Sequence, residues 1–388
     1  MTDAPRTRLH GLALRAEDLL QRSVPSLLLG AGRPVRVVPF SGTSGSRGTR
    51  VTGRVLVQLS SAAPPTTASG AWQLLRANLV PFVTVEVPRA RVRVDVGGRS
   101  VVVEADREGY LTAVLDDLRL PPGRHPVVLT PVQPSGAPAA GTVHAPDPSA
   151  DLALVSDIDD TVVDSGVAHG PVAVVRTVLL SDATARVPLT GAPELYRALV
   201  VRPGGLRERP VFYVSTSPWN LAELLEDFLH RHGFPTGPLS LTDWGPGRSG
   251  LLRIGADDHK LSALRRIAAD LPGPRLVLLG DSGQADAEIY ASFASEHPGR
   301  VAAVYIRRAG VQTAARRARL DASAAQLAAA GVPFVVADDS AAFLAHARAA
   351  GLVAGRGPIR PASCPIGGEA RVRRIGSGSI ASPASTGE

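Results

Sequence analysis

Cysteine and lysine are almost absent from the sequence, and each shortage carries information. Cys364 is the only cysteine among 388 residues, so an internal disulfide is excluded. This pattern agrees with a reducing compartment. Lys260 is the only lysine, and every other basic side chain apart from histidine is an arginine. We therefore expect Lys260 to have a specific role that arginine cannot fill.

Long apolar runs and long basic runs are missing as well. No apolar stretch approaches the length of a membrane span, and the first twenty residues lack the apolar segment of a signal peptide. We expect a soluble, cytoplasmic protein. The net charge of +7 permits transient contact with an anionic membrane surface or a phosphorylated substrate. Because the arginines are spread along the chain, no dedicated nucleic-acid site is expected.

The first third of the chain has the period-two pattern of β-strands. Arg91–Val96 alternates polar and apolar residues, and Gly97-Gly98 predicts a two-residue hairpin. We predict a helix near the start and a small, mainly antiparallel β domain over residues 1–130. A linker rich in proline, glycine and alanine is predicted over 131–150. Further strands are expected at 35–40, 49–59, 99–103, 110–115 and 126–130, and helices at 7–22 and 71–79.

From residue 151 onward, short apolar runs alternate with helical patterns, which is typical of an α/β domain with a doubly wound parallel sheet. We assign this domain to residues 151–352. A small helical insertion is expected over 161–210, and a disordered tail over 353–388. The predicted strands are 152–156, 211–215, 239–242, 276–280, 301–306 and 333–336.

The first of these strands ends in a dense group of carboxylates. Leu152–Ser156 is apolar enough to be buried, and Asp157, Asp159 and Asp160 follow it directly. Unpaired carboxylates are not tolerated inside a sheet, so they must lie at its open end, where parallel α/β sheets bind ligands. A multivalent cation is the simplest way to hold several carboxylates together. The sequence therefore predicts a metal site at this edge.

Other strand ends and helix starts carry residues suited to phosphate chemistry. Ser215 can hydrogen-bond a phosphoryl oxygen, and Ser217 is suited to capping the helix that follows. Lys260, at the start of a helix, can balance carboxylates. Asp281 ends another strand, and Asp286 returns beside it on the first turn of the next helix. We expect the neighbouring His259 to be structural or to support the ligands, and a catalytic role stays open.

Taken in this order, the motifs resemble those of the haloacid-dehalogenase-like phosphohydrolase superfamily. The resemblance implies a sheet of that type. It also implies that Asp157 is a nucleophile that becomes phosphorylated and that Asp159 is a general acid and base. The remaining motifs of the superfamily match Ser215, Lys260, and Gly280-Asp281 with Asp286.

A narrower resemblance is to the phosphatidate phosphatase family named after a yeast actin-patch protein. It covers about residues 151–308 and implies hydrolysis of phosphatidate to diacylglycerol with magnesium. Ala287 stands where a proline is expected in that family. The residues that carry the resemblance are Ser156–Thr161, Tyr213–Leu221, Gly233–Pro235, Asp243-Trp244, His259-Lys260 and Gly280–Tyr290.

Magnesium also suits these residues on physical grounds, because Mg²⁺ prefers octahedral oxygen ligation and keeps some of its waters. The expected ligands are Asp157, the backbone carbonyl of Asp159, Asp281, and Asp286 through water. Thr161 is expected to orient the loop. We assign Asp160 and Asp164 to loop structure or to the surroundings of the ligands.

Two other interpretations stay open at this point. The same chemistry could act on a soluble phosphomonoester or on a nucleic-acid end. Alternatively, the protein could be a basic binding module on an inactive phosphatase fold. The intact acidic motifs argue against an inactive site, because an idle site would gain stability by losing its crowded like charges.

Overall fold

The structure, a computed structural model, describes residues 25–59, 85–159, 161–162, 188–202, 207–242 and 256–353. The predicted helices at 7–22 and 71–79, most of the insertion and all but the first residue of the tail lie outside these ranges. The described residues form two β-sheets, one mainly antiparallel and one parallel. Within them, no helix has both the length and the apolar character needed to cross a bilayer.

The first sheet has nine strands, and all of their pairings are antiparallel except that of β2 with β9. The predicted mainly antiparallel region is therefore confirmed. Its strands are β1 (Val35–Pro39), β2 (Gly42–Gly45), β3 (Gly48–Val57), β4 (Val85–Glu86), β5 (Arg91–Val96), β6 (Arg99–Glu104), β7 (Tyr110–Leu115), β8 (Gly123–Gln133) and β9 (Ala139–Ala145).

Alternation decides which side chains of this sheet form its core. In β5, Val92, Val94 and Val96 are buried, while Arg91 and Arg93 are exposed. The predicted hairpin joins β5 to β6, and both of its glycines have positive φ angles of 55° and 76°. Such a turn favours glycine at both positions.

The predicted linker over 131–150 is wrong in its central part, because Ala139–Ala145 forms β9. This strand pairs with β8 and with β2. Its small residues are needed for close packing. A Cβ atom at Gly141 would lie 2.7 Å from Cβ of Pro39, so glycine is required there. This segment has the composition of a linker but forms a strand, which was not predicted.

The second sheet is parallel throughout, and all six of its predicted strands are confirmed. They are β10 (Leu152–Ser156), β11 (Val211–Pro218), β12 (Leu239–Thr242), β13 (Arg275–Asp281), β14 (Val301–Arg307) and β15 (Phe334–Ala337). The accompanying helices are α1 (Ala192–Val200), α2 (Ala222–Arg231), α3 (Ala256–Asp270), α4 (Asp286–Glu296), α5 (Ala314–Ala329) and α6 (Ser340–Ala349).

Helices cover both faces of this sheet. One apolar cluster joins α1, α2 and α6 to one face, and a second joins α3, α4 and α5 to the other. The strand order is β12-β11-β10-β13-β14-β15, so the chain leaves β10 in one direction and later returns to β13 on its other side. Ligands bind at the carboxyl ends of the strands where the order reverses in this way. We therefore expect a ligand site at the carboxyl ends of β10 and β13.

Candidate active site

Three buried carboxylates meet at the ends of β10 and β13. Asp157 follows β10, Asp281 ends β13, and Asp286 is the first residue of α4. All three are fully buried. One carboxylate oxygen from each lies within 4.8 Å of the others, a spacing that a metal ion could bridge. The structure thus brings together three of the residues predicted as metal ligands.

Lys260 reaches this group from α3. Its Nζ atom lies 2.9 Å from Oδ1 of Asp157 and 2.5 Å from Oδ1 of Asp286. Burial alone would lower the pKa of Lys260, but the carboxylates outweigh it, with Asp157 foremost, and raise this pKa. The side chain is only 3% exposed, so it does not face the solvent. The lysine that the sequence singles out therefore lies in the acidic group.

Backbone geometry explains how the two aspartates after β13 come together. The amide of Asp281 donates to Oδ2 of Asp286 over 3.1 Å. A Cβ atom at Gly280 would lie 2.5 Å from the same Oδ2, so this approach requires glycine. The amides of Gly283 and Gln284 donate to Oδ1 of Asp281 at 2.5 and 3.0 Å. The turn therefore fixes the direction of both carboxylates.

Asp159 is held by hydroxyl groups from β11. Ser215 and Ser217 both donate to its Oδ2 atom, at 2.7 and 3.0 Å. Ser217 is therefore not the helix cap that the sequence suggested: β11 continues to Pro218, a 3₁₀ turn follows, and α2 begins only at Ala222. Its contact with Asp159 was missed because a serine before a proline is also typical of a helix start.

The remaining predicted residues contact the acidic group less directly or lie outside the described residues. Thr161 is 3.4 Å from Oδ2 of Asp157, in line with a role in orienting the loop. His259 contacts the carbonyl of Ser240 at 3.5 Å. Gln284, which was not predicted, lies 3.5 Å from Nζ of Lys260. The only sign of Gln284 in the sequence was its position within the Gly280–Tyr290 motif. Asp160 and Asp164 lie outside the described residues.

A divalent metal fits this arrangement. Asp157, Asp281 and Asp286 bring three carboxylates into one buried space, and Lys260 supplies one positive charge. Burial raises the pKa of Asp157 well above its usual range; Lys260 opposes this effect, while Asp286 and Asp281 add to it. A second source of positive charge would relieve the excess. Carboxylate oxygens are the ligands that hard divalent cations prefer.

Fold and site together define an α/β domain with a buried acidic centre able to hold a metal. Residues 152–308 match the family model described as phosphatidate phosphatase APP1, catalytic domain. The resemblance to the phosphatidate phosphatase family is therefore confirmed for this part of the chain.

Two fungal proteins are similar to part of this chain. Phosphatidate phosphatase APP1 of Saccharomyces cerevisiae is 28% identical over 228 residues, which is 58% of this chain and 38% of the relative. The uncharacterized protein C29B5.04c of Schizosaccharomyces pombe is 29% identical over 157 residues, covering 40% of this chain and 25% of its own. This chain thus spans well under half the length of either relative.

Among solved structures, a carbohydrate acetylesterase of Xanthomonas citri aligns with 78% of this chain and 69% of its own. The TM-score is 0.29 and the identity 12%, which is too low to indicate a shared fold.

Proposed function

We propose that this protein is a Mg²⁺-dependent phosphomonoester hydrolase that acts through an aspartyl-phosphate and takes phosphatidate as its substrate. The observation that carries the proposal is the buried group of Asp157, Asp281 and Asp286 with Lys260, at the carboxyl ends of β10 and β13. This group lies within the segment that matches the phosphatidate phosphatase catalytic domain. The parallel sheet and its motif positions also support a fold of haloacid-dehalogenase type.

In the proposed mechanism, Asp157 is the nucleophile. One of its carboxylate oxygens attacks phosphorus, a new bond forms between that oxygen and phosphorus, and the bond from phosphorus to the ester oxygen breaks. Asp159 gives its proton to the departing oxygen, which leaves as the alcohol. Water then attacks the aspartyl-phosphate, Asp159 takes the proton from it, and phosphate is released from Asp157.

The contacts of each side chain suit these roles. Ser215 and Ser217 occupy Oδ2 of Asp159, which fixes the carboxyl group and directs its other oxygen away from them. Lys260 is positioned to offer its charge to a phosphoryl oxygen while it holds Asp157 in place. The proposed Mg²⁺ ligands are Asp157, the backbone carbonyl of Asp159, Asp281 and Asp286. When bound there, Mg²⁺ would reduce the repulsion between the anionic nucleophile and the phosphoryl group.

Phosphate release from a panel of substrates tests the proposal. The purified protein is assayed with Mg²⁺ on phosphatidate, lysophosphatidate, sugar phosphates, nucleotides and 3′-phosphorylated DNA. We expect the highest kcat/KM on phosphatidate, presented in vesicles, and no release in EDTA. Preference for a soluble ester or for DNA would keep the chemistry and overturn the lipid substrate. The peripheral membrane contact and the cytoplasmic location stay predictions.

An Asp157→Asn variant tests the mechanism within the same panel. This substitution removes the anionic nucleophile and nearly keeps its shape, so we expect kcat to fall by about 10⁴-fold or more. Trapping of a phosphorylated protein in the wild type, and its absence in the variant, would identify the intermediate. Undiminished turnover of the variant, or release of phosphate by the wild type in EDTA, would overturn the mechanism.

A further inference from the structure

Apart from the acidic group, a cavity lies between the first sheet and the parallel sheet. Its volume is about 270 Å³. Thr43, Arg50 and Thr52 from the first sheet line one side of it. His259 and Arg266 from α3 line another. None of the three clustered aspartates borders this cavity, so it is separate from the proposed active site.

The alternation of β3 explains why a cationic side chain lies here. Val51 and Val55 are fully buried in the core of the first sheet, so the residues that alternate with them along the strand project from its other face. That face carries Arg50 and Thr52, and it is the face directed toward α3 and β12. The polar side of this sheet thus forms one wall of a partly open cavity.

Two guanidinium groups border this cavity. Among the described residues, neither the Arg50 nor the Arg266 side chain forms a hydrogen bond or an ion pair, although both are partly buried. Asp270 also lines the cavity and its charge favours the cationic form of Arg266, but it forms no ion pair with either arginine. Asp270 pairs with Arg47 over 2.7 Å, and Asp116, beyond Arg50 in a smaller neighbouring cavity, forms no ion pair with it.

Two partly buried cations that face the same cavity lower the stability of the folded protein. Burial lowers the pKa of Arg266, the charge of Arg50 lowers it further, and Asp270 opposes these effects only in part. The net lowering means that the folded protein disfavours the positive charge of Arg266. Arginine pairs best with a planar or tetrahedral oxyanion, which it can meet with two parallel hydrogen bonds. A bound anion would therefore relieve the repulsion and supply the missing hydrogen-bond acceptors.

We propose that this cavity is a second binding site, for a phosphate-type oxyanion held between Arg50 and Arg266. The hydroxyls of Thr43 and Thr52 lie on the same wall and are suited to donate to the remaining oxygens. The anion joins the first sheet to α3, the helix that carries Lys260. Free phosphate and the headgroup of an anionic phospholipid share this chemistry. The proposal does not depend on the catalytic mechanism above.

The test is calorimetric titration of the full-length protein with inorganic phosphate in EDTA, where the acidic group repels anions. We expect binding by the wild type and a loss of affinity of about tenfold or more in Arg50→Gln and in Arg266→Gln. Arg265→Gln is the matched control. Arg265 is adjacent on α3, exposed, and paired with Glu296 at the surface, so the same change in charge should leave phosphate affinity unaltered.

A second arm identifies the source of the anion. Vesicles of phosphatidylcholine with phosphatidylglycerol are sedimented with each variant. Loss of vesicle binding in Arg50→Gln and Arg266→Gln, but not in Arg265→Gln, would assign the site to a lipid headgroup. Vesicle binding that is the same in all variants, together with the calorimetric loss, would assign it to free phosphate. Wild-type protein that binds neither probe would overturn the proposal.

Two further variants serve as controls for these results. Arg266→Glu places a carboxylate opposite Arg50, so we expect it to raise the melting temperature without phosphate and to abolish any further rise on its addition. Asp157→Asn should keep its phosphate affinity in EDTA. Equal phosphate affinity in the wild type, Arg50→Gln and Arg266→Gln would overturn the proposal, as would a loss of phosphate binding in Asp157→Asn.

Discussion

Lys260 occupies a space that has little room for a larger cation. Its ammonium group lies between Oδ1 of Asp157 and Oδ1 of Asp286, at 2.9 and 2.5 Å, in a position that is almost fully buried. An ammonium group is a compact point charge, whereas guanidinium is planar and needs acceptors arranged around its edge. The use of lysine here, in a chain that otherwise uses arginine, therefore has a geometric reason.

We predict that Lys260→Arg lowers kcat by about 10²-fold or more, although charge is conserved. The larger group should displace the phosphoryl group or the metal. Phosphate release in Mg²⁺ measures the effect, and a melting curve separates it from unfolding, since overpacking a buried position costs about 1–3 kcal/mol. Arg265→Lys on the exposed face of the same helix is the control and should be fully active. Near-normal turnover of Lys260→Arg would show that this cation does not contact the reacting groups.

The strands of the parallel sheet could be predicted from the sequence, whereas some side-chain contacts at their ends could not. Fully buried strands appear as continuous apolar runs, and a carboxylate or hydroxyl after such a run marks the edge of the sheet. This reasoning found Asp157 and Asp281, whereas Lys260 stood out as the only lysine of the sequence. It missed Ser217, because the end of β11 and the start of a helix have the same local pattern. The contact with Asp159 comes from a distant part of the chain.

Strand β9 was missed for a different reason. Glycine and alanine are poor strand formers on their own. Gly141 is needed because Pro39 in β1 packs closely against it. Local composition cannot reveal a contact with a residue so far away in the sequence. The separation of two domains by a flexible linker was predicted from that composition. The structure instead places Ala139–Ala145 in the first sheet.

We predict that Gly141→Val destabilises the protein by about 1–3 kcal/mol, because a Cβ atom there meets Pro39 at 2.7 Å. Thermal or urea unfolding of the whole chain measures the loss. Ala140→Val is the control, since Ala140 is exposed on the same strand and a β-branched side chain is favourable in a strand. If both variants unfold like the wild type, residues 139–145 act as the linker that their composition suggested.

At the scale of the whole molecule, the acidic group links folding to metal binding. Three buried carboxylates against one lysine should make the folded state less stable without a divalent cation and more stable with it. We predict that saturating Mg²⁺, at about 100 times its dissociation constant, adds about 2.7 kcal/mol to the free energy of unfolding. Asp281→Asn should lose most of this gain. A melting temperature unaffected by Mg²⁺ or by EDTA would argue against a metal at these aspartates.

The two sheets also depend on each other through contacts that a separate catalytic fragment would lose. Phe40 of the first half stacks on Trp219 with ring centroids 4.0 Å apart, and Arg47 pairs with Asp270 at the end of α3. Trp219 lies two residues after Ser217, which holds Asp159. Removing the first half would therefore expose apolar surface and loosen the end of β11.

We predict that a fragment of residues 150–353 melts at a lower temperature than the full chain and loses turnover on a soluble phosphomonoester as well as on phosphatidate vesicles. The physical reason is the lost support for Trp219 and α3, which acts on the active site whatever the substrate. Phe40→Leu in the full-length chain, which removes the stack on Trp219 and keeps an apolar side chain, should reduce both activities in the same proportion. A fragment that keeps full turnover on the soluble ester and fails only on vesicles would show instead that the first half serves to present the enzyme to the membrane.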